Sequence, residues 1–255
     1  MLSFLAVRSS IRAKRLFTFL TLVLLCFSAK AQVSDLPFDG GSPTRTLLAA
    51  TQSPKALVIL LIGGDGKVGI FNNGTARSTH TFVRSQELWA QYGIDSVLVD
   101  SRDFLVTRDG DRLSNDYQNR LLSVVNYYKN KMQLPIWLFG HSNGTISVAE
   151  FVNRFGKQNV IAGFIVAGTE KTAILKDDSS LPALAIHHSQ DSCSVTPISA
   201  SQEIIKSRPK GTRAEFITID GGVSTGNVCW SLAYHGFNQR ENEMVKVAAE
   251  FILKK

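Results

Sequence analysis

The sequence predicts an α/β fold: a three-layer α/β/α sandwich around a mostly parallel sheet. Two observations predict it. Continuous apolar runs rich in β-branched residues, such as residues 55–62, are typical of strands buried on both faces of a parallel sheet. These runs alternate with segments of helical periodicity, such as residues 115–132, and this alternation favours parallel strands joined by right-handed crossover helices.

The elements follow in a regular order after residue 54. The predicted strands are residues 55–62, 94–99, 135–139, 160–166, 184–187 and 214–219. The predicted helices are residues 79–92, 115–132, 142–155, 197–207 and 239–253. Gly93 is a natural C-cap for the first helix, and Leu121 and Val125 share an apolar face of the second.

Residues 34–54 have the composition of a linker, because Pro37, Gly41 and Pro43 interrupt any periodic pattern. We expect this segment to run along the surface before the sheet begins, with residues 44–51 as an edge strand.

The first residues are typical of an export signal. Basic residues precede an apolar segment at residues 16–27, and Ala29-Lys30-Ala31 gives the small-x-small pattern of a signal-peptidase site. The apolar segment is shorter than the roughly 20 residues that span a bilayer, and an uncleaved anchor is the alternative. We predict a signal peptide at residues 1–31 and a single domain at residues 32–255, exported to the periplasm or secreted.

The charge of the chain lies largely in this leader. Residues 1–31 hold five basic and no acidic residues, so their removal lowers the net charge from +7 to +2. The remaining chain therefore predicts no nucleic-acid partner, no anionic membrane surface and no membrane span. Residues 63–67 lack the spacing of a phosphate-binding loop, and no cofactor is predicted. The oligomeric state stays open.

The pentapeptide Gly140-His141-Ser142-Asn143-Gly144 lies between an apolar strand and a helical segment. A sharp strand-to-helix turn at this point would raise the Ser142 hydroxyl above the edge of the sheet. Small residues are needed beside such a turn because it leaves no room for a Cβ on the neighbouring backbone.

Two further residues follow strands in the order that serine chemistry requires. Asp191 lies just after the strand at residues 184–187, and His235 lies in the loop after residues 214–219. A serine hydroxyl becomes a good nucleophile when a neutral imidazole can take its proton. The imidazole in turn needs a carboxylate to hold its tautomer and to stabilise its charged form.

The order Ser142, Asp191, His235 and the positions after strand ends resemble the α/β-hydrolase family, from about residue 54 to the C-terminus. The resemblance implies a catalytic triad of these residues at the carboxyl ends of the strands. It also implies an exported enzyme that cleaves an ester-like bond of a small molecule through an acyl-enzyme. A peptidase, a lactone hydrolase, an acyltransferase and a non-catalytic envelope binding protein are the alternatives.

The same resemblance implies an oxyanion hole and bears on the lid. One donor would be the N–H of Asn143, and the second the N–H of Asp65, with Gly64 as the alternative. Glycine stands in this loop where the family commonly has histidine. Residues 167–181, where the family commonly inserts a lid, are too few for a helical cap, so we expect no sizeable lid domain.

Other acids and histidines compete for these roles. Asp220 and Asp100 also follow strands and are alternatives to Asp191. Arg84 and the cluster at residues 100–103 lie near strand ends, where they could contact a polar substrate; structural ion pairing is the more common role. The remaining histidines are expected to be structural; they are His80, His141, His187 and His188.

Of the three cysteines, Cys26 lies in the predicted leader, and Cys193 and Cys229 remain. Two cysteines in an exported chain predict a disulfide, which would join the loop of Asp191 to the loop of His235. Two free thiols, a redox pair, or a metal site with His187 or His188 are the alternatives. No C-x-x-C or H-x-x-x-H spacing is present, and no metal is predicted.

Overall fold

The computed structural model describes residues 30–39, 41–101 and 111–254. Its strands are β1 Lys30–Phe38, β2 Gly41–Ala50, β3 Ala56–Leu61, β4 Ile94–Val99, β5 Ile136–His141, β6 Gly163–Ala167, β7 Ala183–His188 and β8 Ala214–Ile219. Its α-helices are α1 Thr81–Arg84, α2 Asn115–Met132, α3 Gly144–Phe155, α4 Ile198–Lys206 and α5 Glu241–Leu253. Short 3₁₀ helices occupy Gln86–Tyr92, Gly156–Gln158 and Tyr234–Gly236.

In the described residues the strands form one sheet in the order β1-β2-β4-β3-β5-β6-β7-β8. The six strands β3 to β8 are parallel to one another, and β1 and β2 extend the sheet in antiparallel pairing. None of the described helices is long and apolar enough to cross a membrane.

The two faces of the sheet carry separate hydrophobic cores, because successive side chains of a strand point to opposite faces. In β3, Val58 and Leu60 pack with residues of α5 and the first 3₁₀ helix. Leu57 and Ile59 pack on the other face with residues of α2, α3 and α4. Helices therefore cover both faces of a mostly parallel sheet, and the predicted three-layer sandwich is confirmed.

The predicted linker is wrong, because residues 34–38 and 41–50 lie in β1 and β2, which extend the sheet. The strand expected at residues 44–51 is present within β2, but its expected edge position is wrong. β2 lies between β1 and β4, so it is not an edge strand; β1 takes that place. The register shifts between Leu36 and Phe38, at Pro37, which has no N–H to donate. Proline is tolerated here because an edge strand has one unpaired side.

The predicted leader lies mostly outside the described residues, which begin at Lys30. Lys30 and Ala31 are the first two residues of β1 and pair with Ala50 and Ala49. Cleavage after Ala31 stays a prediction, and it would shorten β1 by these two residues.

The predicted helix at residues 79–92 is wrong as one continuous element. The chain makes one α-helical turn, passes Ser85 and continues as a 3₁₀ helix. The buried Gln86 explains the break. Its side-chain amide donates to Leu47 O at 2.8 Å, and its backbone carbonyl accepts from Ser96 Oγ at 3.1 Å. These bonds to β2 and β4 hold the backbone against the sheet and outweigh the local helical preference.

At the turn from β5 into α3, the backbone of α3 lies very close to the backbones of β3 and β5. A Cβ added to Gly140 would lie 2.4 Å from Gly144 O, and one added to Gly144 would lie 2.0 Å from Leu61 O. The intervening Ser142 has a φ of 53°, in the left-handed region that L-residues rarely adopt. The two flanking glycines let α3 start directly against β3 and β5.

We expect Gly144→Ala to lower the free energy of unfolding by at least about 3 kcal/mol, because its Cβ would meet backbone rather than a movable side chain. Gly211→Ala is the matched control, since Gly211 has a φ of 87° and no atom within 4 Å of its added Cβ. Its cost should be about 1 kcal/mol, from conformational strain alone. Urea unfolding measures both, and equal losses would contradict the packing argument.

Candidate active site

The three residues of the predicted triad reach the carboxyl-terminal end of the parallel strands. Ser142 follows β5, Asp191 follows β7, and His235 lies in the short 3₁₀ helix beyond β8. Ser142 and His235 line one cavity of about 460 Å³. In an open α/β sheet this end is where ligands bind.

Ser142 is fixed by its backbone. Its N–H donates to Ala167 O at 3.0 Å, and its carbonyl accepts from the backbone N–H of Thr145 at 2.8 Å and from Thr145 Oγ1 at 2.6 Å. A Cβ on Gly63 would lie 2.7 Å from Ser142 Cβ, so the loop after β3 passes directly beside the serine. The serine and this loop therefore form one wall of the cavity.

Asp191 and His235 form a buried hydrogen-bonded pair. His235 Nδ1 donates to Asp191 Oδ2 at 2.8 Å, and the two side chains are 2% and 1% exposed. Asp191 also accepts from the Cys193 N–H at 2.9 Å and from Thr196 Oγ1 at 3.2 Å. Burial alone would raise the pKa of Asp191, but the hydrogen bond and charge of His235 and the Cys193 N–H outweigh burial and hold that pKa below its ordinary value.

The donor at Nδ1 leaves a lone pair on His235 Nε2, since a neutral imidazole carries one N–H. No atom of the described residues forms a hydrogen bond with Nε2. His235 Nε2 and Ser142 Oγ are therefore not hydrogen-bonded to each other. Hydrogen bonds between catalytic groups are often long without substrate and tighten only when a substrate is bound.

The amides predicted for the oxyanion hole lie in the same region. Gly64 and Asp65 line the cavity, and the Asn143 side-chain amide donates to Gly64 O at 3.2 Å. Within the described residues, the backbone N–H groups of Asn143, Gly64 and Asp65 donate to no acceptor. The oxyanion role of these N–H groups, and the choice between Gly64 and Asp65, stay predictions.

Arg112 supports this loop and was missed by sequence reasoning. Its guanidinium is buried and donates to Ile62 O at 3.2 Å, Gly64 O at 3.1 Å and Ser147 Oγ at 2.7 Å. The bonds connect α3 to the loop after β3. No local pattern marks Arg112, because its partners lie far away in the sequence.

A buried pair of histidines contacts the backbone of His235. His141 Nε2 donates to His235 O at 2.8 Å, and His141 Nδ1 lies 3.0 Å from His80 Nε2. His80 also caps α1, where its Nδ1 accepts from the Phe82 N–H at 3.1 Å. Burial lowers the pKa of His141 to about 3 and the pKa of His80 well below its ordinary value. Both side chains are therefore neutral near pH 7.

The other two histidines hold the loop of Asp191. His187 Nδ1 lies 2.9 Å from Ser201 Oγ, and burial lowers the pKa of His187 to about 4. His188 Nε2 donates to Gly221 O at 2.8 Å. Neither ring lines the cavity of Ser142, so both have the structural role expected from the sequence.

The competing polar residues also have other partners. Asp220 accepts from Ser189 Oγ at 2.6 Å, and Asp100 accepts from the N–H groups of Val68 and Ile70 at 2.8 and 2.9 Å. Asp191 is thus the carboxylate in contact with His235.

Arg84 pairs with Glu241 at 2.6 Å and donates to Ser231 O at 3.0 Å. It ties α1 to α5 and to the loop before His235, which is the structural role. Residues 102 and 103 of the predicted polar cluster lie outside the described residues.

Cys193 and Cys229 form a disulfide, as predicted. The bond connects the loop of Asp191 to the loop that precedes His235, and Cys229 lines the cavity. Among the described residues no group of three or more His, Cys, Asp or Glu side chains is arranged to hold a metal ion.

Neither a scan of protein-family models nor a search of curated proteins finds a match to this sequence. Solved structures do match. A dienelactone hydrolase from Anabaena variabilis aligns with a TM-score of 0.66 and 13% identity over 89% of this chain and 98% of its own. A monoglyceride lipase from Saccharomyces cerevisiae aligns with a TM-score of 0.62 and 13% identity over 90% and 96%.

A third match is an α/β serine hydrolase without lid from Xanthomonas campestris, with a TM-score of 0.58 and 11% identity over 88% of this chain and 94% of its own. The chain has the α/β-hydrolase fold. In this α/β-hydrolase fold, residues 168–182 between β6 and β7 contain no helix or strand. No lid domain is inserted there, as predicted from the length of the segment.

Buried neutral histidines should make the fold sensitive to acid. His141 has a folded pKa of about 3 and a reference value of 6.5, so the unfolded chain binds more protons below pH 6.5. Stability is therefore lost as the pH falls from 7 to 5, by about 2 kcal/mol for His141 alone.

Urea unfolding at pH 7 and pH 5 measures this loss. His141→Gln keeps a donor for His235 O but cannot titrate, so its stability should depend less on pH. A wild-type midpoint that is equal at both pH values would contradict the burial argument.

The disulfide closes a loop with a sequence separation of 36 residues. Replacing both cysteines with serine should lower the free energy of unfolding by about 3–4 kcal/mol, the loop-closure value for this length. Reductant should destabilise the wild type by a similar amount and leave the double variant unchanged. Equal stability of oxidised wild type and double variant would contradict a structural role for the bond.

Proposed function

We propose that the protein is an exported serine hydrolase that cleaves a carboxylic-ester-like bond of a small molecule. One observation carries the proposal: Asp191 and His235 form a buried hydrogen bond through Nδ1 that leaves Nε2 without a partner, and His235 and Ser142 line the same cavity. The hydrolases among the structural matches support the reaction class. The disulfide supports an oxidising compartment and hence export.

In the proposed reaction, His235 Nε2 takes the proton of Ser142 Oγ as that oxygen attacks the carbonyl carbon of the ester. The carbonyl electrons move to oxygen, and the resulting anion accepts hydrogen bonds from the Asn143 and Asp65 amides. Collapse of this intermediate expels the alcohol, which takes the proton from His235 and leaves an acyl group on Ser142. Asp191 holds the Nδ1–H tautomer and stabilises the imidazolium throughout.

Water then repeats the sequence. His235 Nε2 takes a proton from water as the water oxygen attacks the acyl carbon. When the second tetrahedral intermediate collapses, Ser142 Oγ leaves and recovers its proton from His235. The products are one carboxylic acid and one alcohol, and the enzyme returns to its starting state.

The first test is labelling with a fluorophosphonate probe, followed by mass mapping of the adduct. We expect one adduct on Ser142 and none in Ser142→Ala or His235→Ala, because the probe requires an activated serine. No adduct in the folded, oxidised wild type would reject the mechanism and favour a binding protein.

Activity on ester, lactone and amide panels defines the reaction. Ser142→Ala should lower kcat by about a millionfold and Asp191→Asn by about ten-thousandfold. Asp220→Asn is the matched control, since its exposed carboxylate contacts Ser189 and not His235, and its activity should equal that of the wild type. Faster turnover of lactones or amides than of esters would move the assignment to those substrates.

A further inference from the structure

The loop between β8 and the 3₁₀ helix of His235 brings an apolar surface to the cavity. Trp230, in this loop, is 66% exposed, more than any other large hydrophobic side chain in the described part of the chain. Leu232 is 42% exposed, and both residues line the same cavity as Ser142 and His235. Exposed apolar surface at a ligand cavity is a common mark of a binding surface.

The backbone of this loop is held in place before any ligand binds. The Trp230 N–H donates to Asn227 O at 2.9 Å, and Trp230 O accepts from the Ala233 N–H at 3.0 Å. The adjacent Cys229 is bound to Cys193. A ligand that contacts Trp230 therefore does not have to order the loop, which lowers the cost of binding.

Gly226 lies beneath the indole ring. A Cβ added to Gly226 would lie 3.4 Å from Trp230 Cε3, so the ring packs over the glycine backbone. Contact on one side and 66% exposure overall leave much of the ring open to a ligand. An aromatic ring offers a flat apolar face to rings and bulky apolar groups.

The surface formed by Trp230 and Leu232 differs from the rest of the cavity lining, which is polar or buried. Besides Trp230 and Leu232, the one large apolar residue in the lining is Ile62, which is buried at 4% exposure. Ser78 and Thr79 and the charged Asp65 and Lys67 also line the cavity. The accessible apolar part of the cavity therefore comes from the loop of Trp230.

We propose that Trp230 forms a subsite for an aromatic ring or a similarly bulky apolar group of the substrate. This inference rests on the proposed function and names its substrate class: esters that carry such a group directly beside the ester bond. The group lies on either the acyl or the alcohol side, and the test distinguishes these two sources.

The first experiment measures binding without catalysis. The chain has three tryptophans, and Trp89 and Trp137 are only 1% and 3% exposed, so acrylamide quenching of fluorescence reports on Trp230. In Ser142→Ala, methyl benzoate or phenyl acetate should protect Trp230 from quenching, and methyl acetate should not. Trp230→Phe, which should lose the quenchable signal, confirms the assignment. Quenching unchanged by both aromatic esters would overturn the subsite.

The second experiment measures kcat/KM for methyl acetate, methyl benzoate and phenyl acetate. Trp230→Ala should lower the kcat/KM of the preferred aromatic ester relative to that of methyl acetate about tenfold, mainly through KM, because the lost contact is to a group that takes no part in the bond changes. Val228→Ala is the matched control: Val228 lies on the same loop, is 44% exposed and does not line the cavity, so its ratio should not change.

A preference for methyl benzoate would place the aromatic group on the acyl side of the ester, and a preference for phenyl acetate would place it on the alcohol side. Equal losses on all three esters in Trp230→Ala would show a structural role and overturn the inference. If the wild type hydrolyses no ester and Ser142 is not labelled, the proposed function fails, and the quenching experiment still decides whether Trp230 binds an aromatic group.

Discussion

The close approach of α3 to β3 and β5 is the constraint on which the site depends. Gly144 begins α3 against the carbonyl of Leu61, and this leaves Ser142 in the left-handed region. Strain of this kind costs about 1–3 kcal/mol. The buried face of α3, with Phe151 and Val152 fully enclosed, offsets it. Packing of the core thereby fixes the backbone of the candidate nucleophile.

The packing of α3 against β3 and β5 also positions the groups around Ser142. Asn143 is the N-cap of α3, and the loop after β3 passes beside Ser142 at Gly63. Arg112 then joins Gly64 O to Ser147 on the same helix. The candidate nucleophile and oxyanion donors are therefore parts of one rigid unit. A single helix position sets the geometry of all of them, which is the preorganisation that acyl transfer requires.

Asp191 and His235 are different, because they lie in loops beyond the ends of β7 and β8. No sheet pairing fixes the distance between these loops. The Cys193–Cys229 disulfide does so covalently, two residues after the acid and six before the histidine. His188 adds a second connection through Gly221 O. The acid and histidine are held by cross-links between loops, whereas the serine is held by core packing.

The parts of the molecule that the sequence predicts are those with a local signal. The buried strands and the helices α2 to α5 follow from periodicity, and the places of Ser142, Asp191 and His235 follow from motif order and strand ends. A strand at residues 44–51 was expected, but β1 beside it was missed, because Pro37 and neighbouring glycines resemble a linker until an edge strand accommodates them. Burial and partners far away in the sequence decide the rest.

Gln86, Arg112 and Trp230 are examples of this second kind. Gln86 interrupts a helical pattern through bonds to two strands, and Arg112 bonds to carbonyls about fifty residues away. Trp230 lies in an irregular loop, so no helical or strand periodicity indicates which way it faces. The available signal was a tryptophan five residues before the predicted histidine.

The histidine within the pentapeptide has a role that its proton positions define. His141 Nε2 faces the carbonyl of His235, so it carries the proton, and a neutral His141 accepts at Nδ1. His80 must then donate from Nε2, which agrees with its Nδ1 accepting from the Phe82 N–H. The Gly63 N–H, 3.2 Å from His80 Nε2, consequently faces another donor and is not hydrogen-bonded there.

A chain of hydrogen bonds with a single donor direction thus runs from the Phe82 N–H of α1 through His80 and His141 to the carbonyl of His235. Because burial keeps both rings neutral, the donor direction of these hydrogen bonds does not change near neutral pH. His235 is held at its ring by Asp191 and at its backbone by His141. The residue beside the serine in the sequence therefore also positions the proposed base, so the pentapeptide contacts two members of the predicted triad that lie 93 residues apart.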